Sequence, residues 1–177
     1  SNITLYPTTT ISNIPTFYRM VRSTLDPDYD DTFVNVPTGP ITGDAQLLAT
    51  LVSDDQLITG NPGVVNVTTL GNIQKTAGNS QQYAEFYFEL YQRNVAGTEF
   101  LIGTSNTTGA VNPYDNGYYQ FSAIAILNNG IWDPTDRLVV KYYANLLGNV
   151  GSEYNFQFGG NTPVRTLIPV PAEVLPS

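Results

Sequence analysis

The chain has 177 residues, fifteen acidic against seven basic, giving a formal charge of −8, and it contains neither cysteine nor histidine. That length suits one core burying roughly two thirds of the surface of the unfolded chain, while the charge repels phosphate backbones and anionic lipid, so neither nucleic acid nor membrane insertion is expected. The missing residue types exclude disulfides, thiolate and imidazole metal sites, and Ser-His-Asp or Cys-His catalysis.

Carboxylates, tyrosines, hydroxyls and a few basic groups remain for chemistry, and the chain is expected to need no cofactor and to be no enzyme. The first residues, SNITLYP, lack the basic start and apolar run of a secretory signal. No segment approaches the roughly 18 consecutive apolar residues of a membrane span, so a soluble chain is expected.

Residues 1–43 are rich in Thr, Pro, Ser and Asp, and Pro7, Pro15, Pro27, Pro37 and Pro40 interrupt regular elements. They read as an extended arm, in which 14–22 carries enough apolar groups to lie along another surface. Asp26, Asp28, Asp30 and Asp31 lie close enough in sequence to hold calcium. They lack the ligand spacing and central glycine of a helix-loop-helix calcium site, and a solvated turn is the preferred reading.

From about residue 44 the texture changes to short runs of β-branched and aromatic residues between turn signals. Strands are expected over 45–52, 64–70, 82–93, 98–104, 117–127, 137–144, 154–158 and 164–170. The clearest is 82–93, whose alternation puts Ala84, Phe86, Phe88 and Leu90 on a core face and Tyr83, Glu85, Tyr87, Glu89 and Tyr91 on the other. Residues 94–97 turn it into the next strand as a hairpin. Before the strand at 137, Asp133 and Asp136 frame a turn. Pro169, Pro171 and Pro176 make 166–177 a tail, leaving 44–165 as the domain. No stretch has helical periodicity, so the fold class is all-β, a jelly-roll sandwich of about eight strands.

Glu85 and Glu89 are the paired carboxylates on one strand face, but two residues four apart on a strand stand about 13 Å apart by rise. Glycosidase pairs stand at about 5 to 9.5 Å. The 148–151 segment, GNVG, has no following helix or lysine and fails as a phosphate loop. Asn2, Asn66 and Asn106 begin Asn-x-Thr sequons, which matter only in a secretory lumen.

The tyrosines carry more. Tyr83, Tyr87 and Tyr91 form a row opposite the core, and one of the neighbours Tyr142 and Tyr143 joins a comparable face. Such a row is an ordinary half-exposed sheet surface, a sugar-stacking platform, or a subunit interface, where Tyr buries large area and keeps a polar tip.

Four pieces occur in order: 97–103 (GTEFLIG), 119–121 (YQF), 136–144 (DRLVVKYYA) and 156–163 (FQFGGNTP). Together they resemble the C-terminal jelly-roll head domain of structural proteins of giant DNA viruses, virophages and phages, and are similar to the tumour necrosis factor-like fold. The resemblance spans about 44–165; the histidine often found after Thr-Pro is missing, so any role resting on it is not carried over. The resemblance implies a virion-surface protein whose heads pack as a homotrimer, with Tyr83, Tyr87, Tyr91, Tyr142 and Tyr143 as interface candidates. It would contact other virion proteins or a host glycan. Within that reading Asp136 caps its turn, and Arg137 and Lys141 pair with Glu85 or Glu89. The alternative is a carbohydrate-binding, lectin-like module using exposed tyrosines and loop Asn and Asp, with calcium as a possible aid; a glycoside-active sandwich is the third reading.

Overall fold

The structure, a computed structural model, describes residues 2–79, 81–111, 116–148 and 151–176. Residues 149 and 150, in the segment read as failing the phosphate-loop pattern, lie outside them. The chain is an all-β sandwich of β1 (Asn2–Ile11), β2 (Tyr18–Val21), β3 (Val34–Ile41), β4 (Gln46–Ser53), β5 (Val65–Ala77), β6 (Ala84–Arg93), β7 (Glu99–Thr104), β8 (Asn116–Ala125), β9 (Arg137–Leu146), β10 (Ser152–Phe158) and β11 (Arg165–Pro169). Two single turns of 3-10 helix, Asn128–Gly130 and Ala172–Val174, are the helical pieces described, and no described helix is long and apolar enough to cross a membrane.

One sheet, the β8 sheet, runs β3-β10-β5-β11-β1, with β8 paired along the other edge of β5; the second, the β6 sheet, runs β1-β2-β4-β9-β6-β7. β1 serves both, since Asn2 to Leu5 pair with β11 and Tyr6 to Ile11 with β2. All pairings are antiparallel except β2 with β4. At the β7 side the sheets nearly join: the Ile126 N–H donates to the Ile102 carbonyl at 2.8 Å. A Cβ on Gly103 would lie 2.8 Å from the Ile124 carbonyl oxygen, so only glycine admits that approach.

The eight strands expected from alternation all form, and three more come from residues 1–43. These residues are extended but are no separate arm: β1, β2 and β3 are woven into both sheets, and Ile3, Leu5, Met20, Val36 and Ile41 belong to the core. The prolines mislead because β3 is an edge strand, where Pro37 and Pro40 cost no ladder bond on the open side. Pro7 sits just past the point where β1 changes sheets, beside an irregularity in its pairing with β2. Likewise β11, which reaches into the expected tail, is held between β1 and β5.

The inner faces meet in an aromatic core. Phe86 packs edge-on against Tyr154 and Phe156, while Phe88 does the same with Phe121 and Tyr142. Each such pair contributes about 0.5–1.5 kcal/mol beyond its buried area. The Gly159-Gly160 pair after β10 is conformationally demanded. Both take positive φ, and a Cβ on either would fall 2.6 Å from backbone atoms of Asp30 or Phe33. The Gly160 N–H donates to the Asp30 carbonyl at 2.7 Å, and the Tyr29 hydroxyl to the Gly160 carbonyl at 2.8 Å.

Candidate functional site

The tyrosine row lies on the outer face of the β6 sheet, because β6 places odd-numbered residues outward and β9 pairs with it in register. Tyr87 stands opposite Tyr143, and their rings stack with centroids 5.4 Å apart. Burial raises the Tyr87 pKa, helped by the Glu89 and Tyr143 charges and by Asp44. The Tyr91 hydroxyl donates to Glu89, and the Lys141 ammonium sits 4.4 Å from the Tyr91 ring centroid, within cation–π range. Burial first, then the hydrogen bonds to Glu89 and Tyr143, push the Tyr91 pKa far up. Tyr83 is half-buried just ahead of β6, and its carbonyl accepts from the Leu147 and Gly148 N–H groups.

Tyr142 does not belong with them. It shares the inward parity of Leu138, Val140 and Ala144, is 4% exposed, and contacts Phe88, Phe156 and Phe158. Its place as an interface candidate is corrected: burial in an apolar core raises its pKa and leaves it no surface to offer.

The ion pairs also differ from the expected ones. Glu99 of β7 bridges Arg93 at 2.7 Å and Lys141 at 2.8 Å, with all three side chains mostly covered. Arg137 instead donates to Asn13 Oδ1 and the Ser53 carbonyl, both at 3.3 Å, while Glu85 accepts from Asn145 at 3.1 Å. Lys141 and Glu89 are directly opposite in register, yet the shorter approach comes from the neighbouring hairpin strand, which the sequence could not rank.

The acidic cluster is divided rather than gathered. Asp26 and Asp28 bind the Arg19 guanidinium at 3.0 and 2.8 Å, with Asp54 at 2.6 Å completing the set. The hydrogen bonds from Asp54, against some desolvation, raise the Arg19 pKa. Asp30 takes the Thr9 N–H and hydroxyl, each at 3.2 Å. No group of three metal-ligating side chains gathers among the described residues.

Asp136 caps its turn as expected: its Oδ2 accepts the Asp133 N–H at 3.0 Å. It is also a junction that sequence reasoning missed. Gln92, buried on the inner side of β6, donates from Nε2 to Asp136 Oδ2 and to the Ile131 carbonyl, both at 2.8 Å. Gln92 Oε1 accepts the Asn128 N–H at 3.1 Å. The one available signal was a Gln at an apolar parity position, after Ala84, Phe86, Phe88 and Leu90.

No protein family profile and no curated protein matches the chain. Solved structures do. The chain superposes on a CocE/NonD family hydrolase from Staphylococcus aureus with TM-score 0.63 at 8% identity, covering 97% of this chain and 37% of the hydrolase. A carbohydrate-binding module of the β-sandwich superfamily matches at TM-score 0.32 and 14% identity, over 71% of this chain and 55% of that one. The VP2 protein of infectious bursal disease virus matches at TM-score 0.35 and 12% identity, over 92% of this chain and 39% of that one. The chain thus spans little more than a third of the hydrolase it resembles. The expectation that it is no enzyme is overturned by that likeness: the same sandwich occurs within a hydrolase, so missing imidazole and thiol groups no longer place the chain outside enzymes.

Proposed function

We propose that this chain is the β-sandwich head of a virion structural protein, that three copies associate, and that they meet through the outward face of the β8 sheet. The carrying observation is the contrast between net charge and that face. Among described residues of β5, β8 and β11, the outward side chains include a single charge, Arg165. They include Tyr118 and Ile124, 58% and 63% exposed, and Ile126 follows at 61%. Copies carrying −8 each repel one another, and a neutral strip with exposed apolar groups is where contact costs least and buries most. The tyrosine row is a weaker candidate for the contact, because its rings already have partners in their own sheet. The virion reading is supported by the four motif pieces, which fall in the β6–β7 turn and β7, in β8, at β9, and at the end of β10, all within one sandwich.

Sedimentation equilibrium tests the assembly: about 58 kDa is expected, three times 19.3 kDa. Ile124→Glu should give the single-chain mass with cooperative unfolding retained. A wild-type chain that stays at 19.3 kDa at tens of micromolar overturns the proposal. A trimer that survives Ile124→Glu but dissociates with Tyr87→Ala moves the contact to the tyrosine face. Mass spectrometry of purified particles should find the chain; its presence in infected-cell lysate but not in particles sinks the virion reading.

A further inference from the structure

We infer that the cleft over Asp136 is a binding site for a neutral saccharide. It lies at the end of the sandwich where β6 and β7 meet the 128–136 loop, and its volume is about 390 Å³, within the range of small-ligand sites. Its floor is the Asp136 carboxylate, 3% exposed. Gln92 holds that floor and one wall together, since its amide binds Asp136, the Ile131 carbonyl and the Asn128 N–H at once. The polar groups are therefore positioned before any ligand arrives, which lowers the ordering cost of binding.

What surrounds the carboxylate decides the ligand class. The side-chain amides of Asn128 and Asn129 make no hydrogen bond to another described residue, and Asn94 uses only its Oδ1, accepting from the Thr98 N–H at 2.9 Å. Asn129 is held at φ +57°, inside the turn that carries both amides to the rim. Phe100, half-buried, supplies an apolar wall. An acceptor that cannot donate, flanked by amides that do both, matches vicinal hydroxyls, each of which donates and accepts. The aromatic wall suits the C–H face of a sugar ring. No lysine or arginine lines the cleft, so phosphorylated, sulfated or acidic sugars would bring a negative charge to a buried carboxylate with no cation to offset it. A cation alone is poorly served, because no three acidic groups gather there among the described residues.

The site does not depend on the proposed assembly, and its test reads a different quantity. The full chain would be titrated calorimetrically with galactose, mannose, glucose, N-acetylglucosamine and their β-linked disaccharides, and screened on an array of neutral and acidic glycans. Saturable binding of at least one neutral saccharide is expected, unchanged by EDTA, with acidic analogues bound at least about tenfold more weakly. Asn129→Ala and Phe100→Ala, both at partly or fully exposed positions, should each weaken binding by several-fold to about tenfold with melting temperature retained. Asp136→Asn should weaken it more, and if that variant fails to fold, the two rim variants still decide. Absence of saturable binding to every neutral glycan, binding indifferent to both rim substitutions, or uptake of calcium alone would overturn the inference.

Discussion

The two outer faces of the sandwich solve opposite problems. On the β6 sheet, Glu85, Glu89, Arg93, Glu99 and Lys141 crowd among Tyr87, Tyr91 and Tyr143, and nearly every polar group finds a partner on its own or an adjacent strand. On the β8 sheet, the outward groups are mostly amides, hydroxyls, aliphatic chains and Tyr118, with Arg165 the one charge on β5, β8 and β11 and Glu153 on β10, and with Asn72 bonded to Gln157 and Gln157 to Asn35 in one ladder. A face whose charges are internally paired is closed energetically, because a partner would have to break those pairs or bury them at a cost. A neutral face with exposed isoleucines is open. Aromatic content alone therefore does not identify the available face: rings with neighbours of their own also serve the fold.

The largest effect that could break this contrast comes from two adjacent residues of β9. Tyr142→Ala removes a core ring between Phe88 and Phe156 and should cost about 3–5 kcal/mol, as large-to-small core changes do. Tyr143→Ala loses the stack on Tyr87 and the hydrogen bond with Tyr91 and should cost about 1–2 kcal/mol. Urea unfolding midpoints of the two variants would show it; equal losses would mean that the outer rings carry as much of the fold as the core.

That pair also marks how much was legible. Alternation along 82–93 was enough to place Ala84, Phe86, Phe88 and Leu90 inside, because period-two patterning is a local property and burial follows it. Parity in 137–144 could have separated Tyr142 from Tyr143, since Arg137 and Lys141 share the odd positions with Tyr143. The strands of residues 1–43 were hidden, because a proline at an edge or at a change of sheet leaves the same local trace as one in a linker. Partner choice was hidden too. Lys141 meets Glu99 instead of Glu89 through the β6–β7 hairpin geometry, and Asp26 and Asp28 meet Arg19 through the turns that follow β2; neither is written in spacing. Gln92 carried a signal, a polar residue at an inward position, but its three partners come from a loop that only the fold brings near.

The next effect sharpens the claim that the β6 face is closed by its ion pairs. Burial acts to raise the Glu99 pKa, but the hydrogen bonds and charges of Lys141 and Arg93 outweigh it and hold the folded value below the ordinary one. The unfolded chain titrates at the ordinary carboxylate value, so the stabilisation is complete above that range and is lost as the pH falls through the depressed folded pKa. Glu99→Gln should cost about 2 kcal/mol at neutral pH, the scale of a lost charge-assisted hydrogen-bond pair. The gap between wild type and variant should narrow below about pH 4. A gap independent of pH would assign the loss to packing. Asp54, 54% exposed on its side chain, gives the contrast: Asp54→Asn should change stability by less than about 0.5 kcal/mol despite its 2.6 Å contact with Arg19.

The smallest effect discriminates between the faces most directly. Raising ionic strength from about 0.1 to 1 M shortens the screening length from about 10 to 3 Å. If copies meet through the β8 sheet, no ion pair lies in the contact, and salt removes only the mutual repulsion of chains carrying −8. Association should then strengthen severalfold, read as a shift of the sedimentation profile toward the assembled mass at fixed protein concentration. If they meet through the β6 sheet, any ion pair that Glu99, Lys141 or Arg93 makes across the contact is screened by salt as well, which opposes the relief of repulsion and should leave the profile little changed. The size of the shift is the discriminating quantity, because apolar burial persists at high salt while surface ion pairing does not.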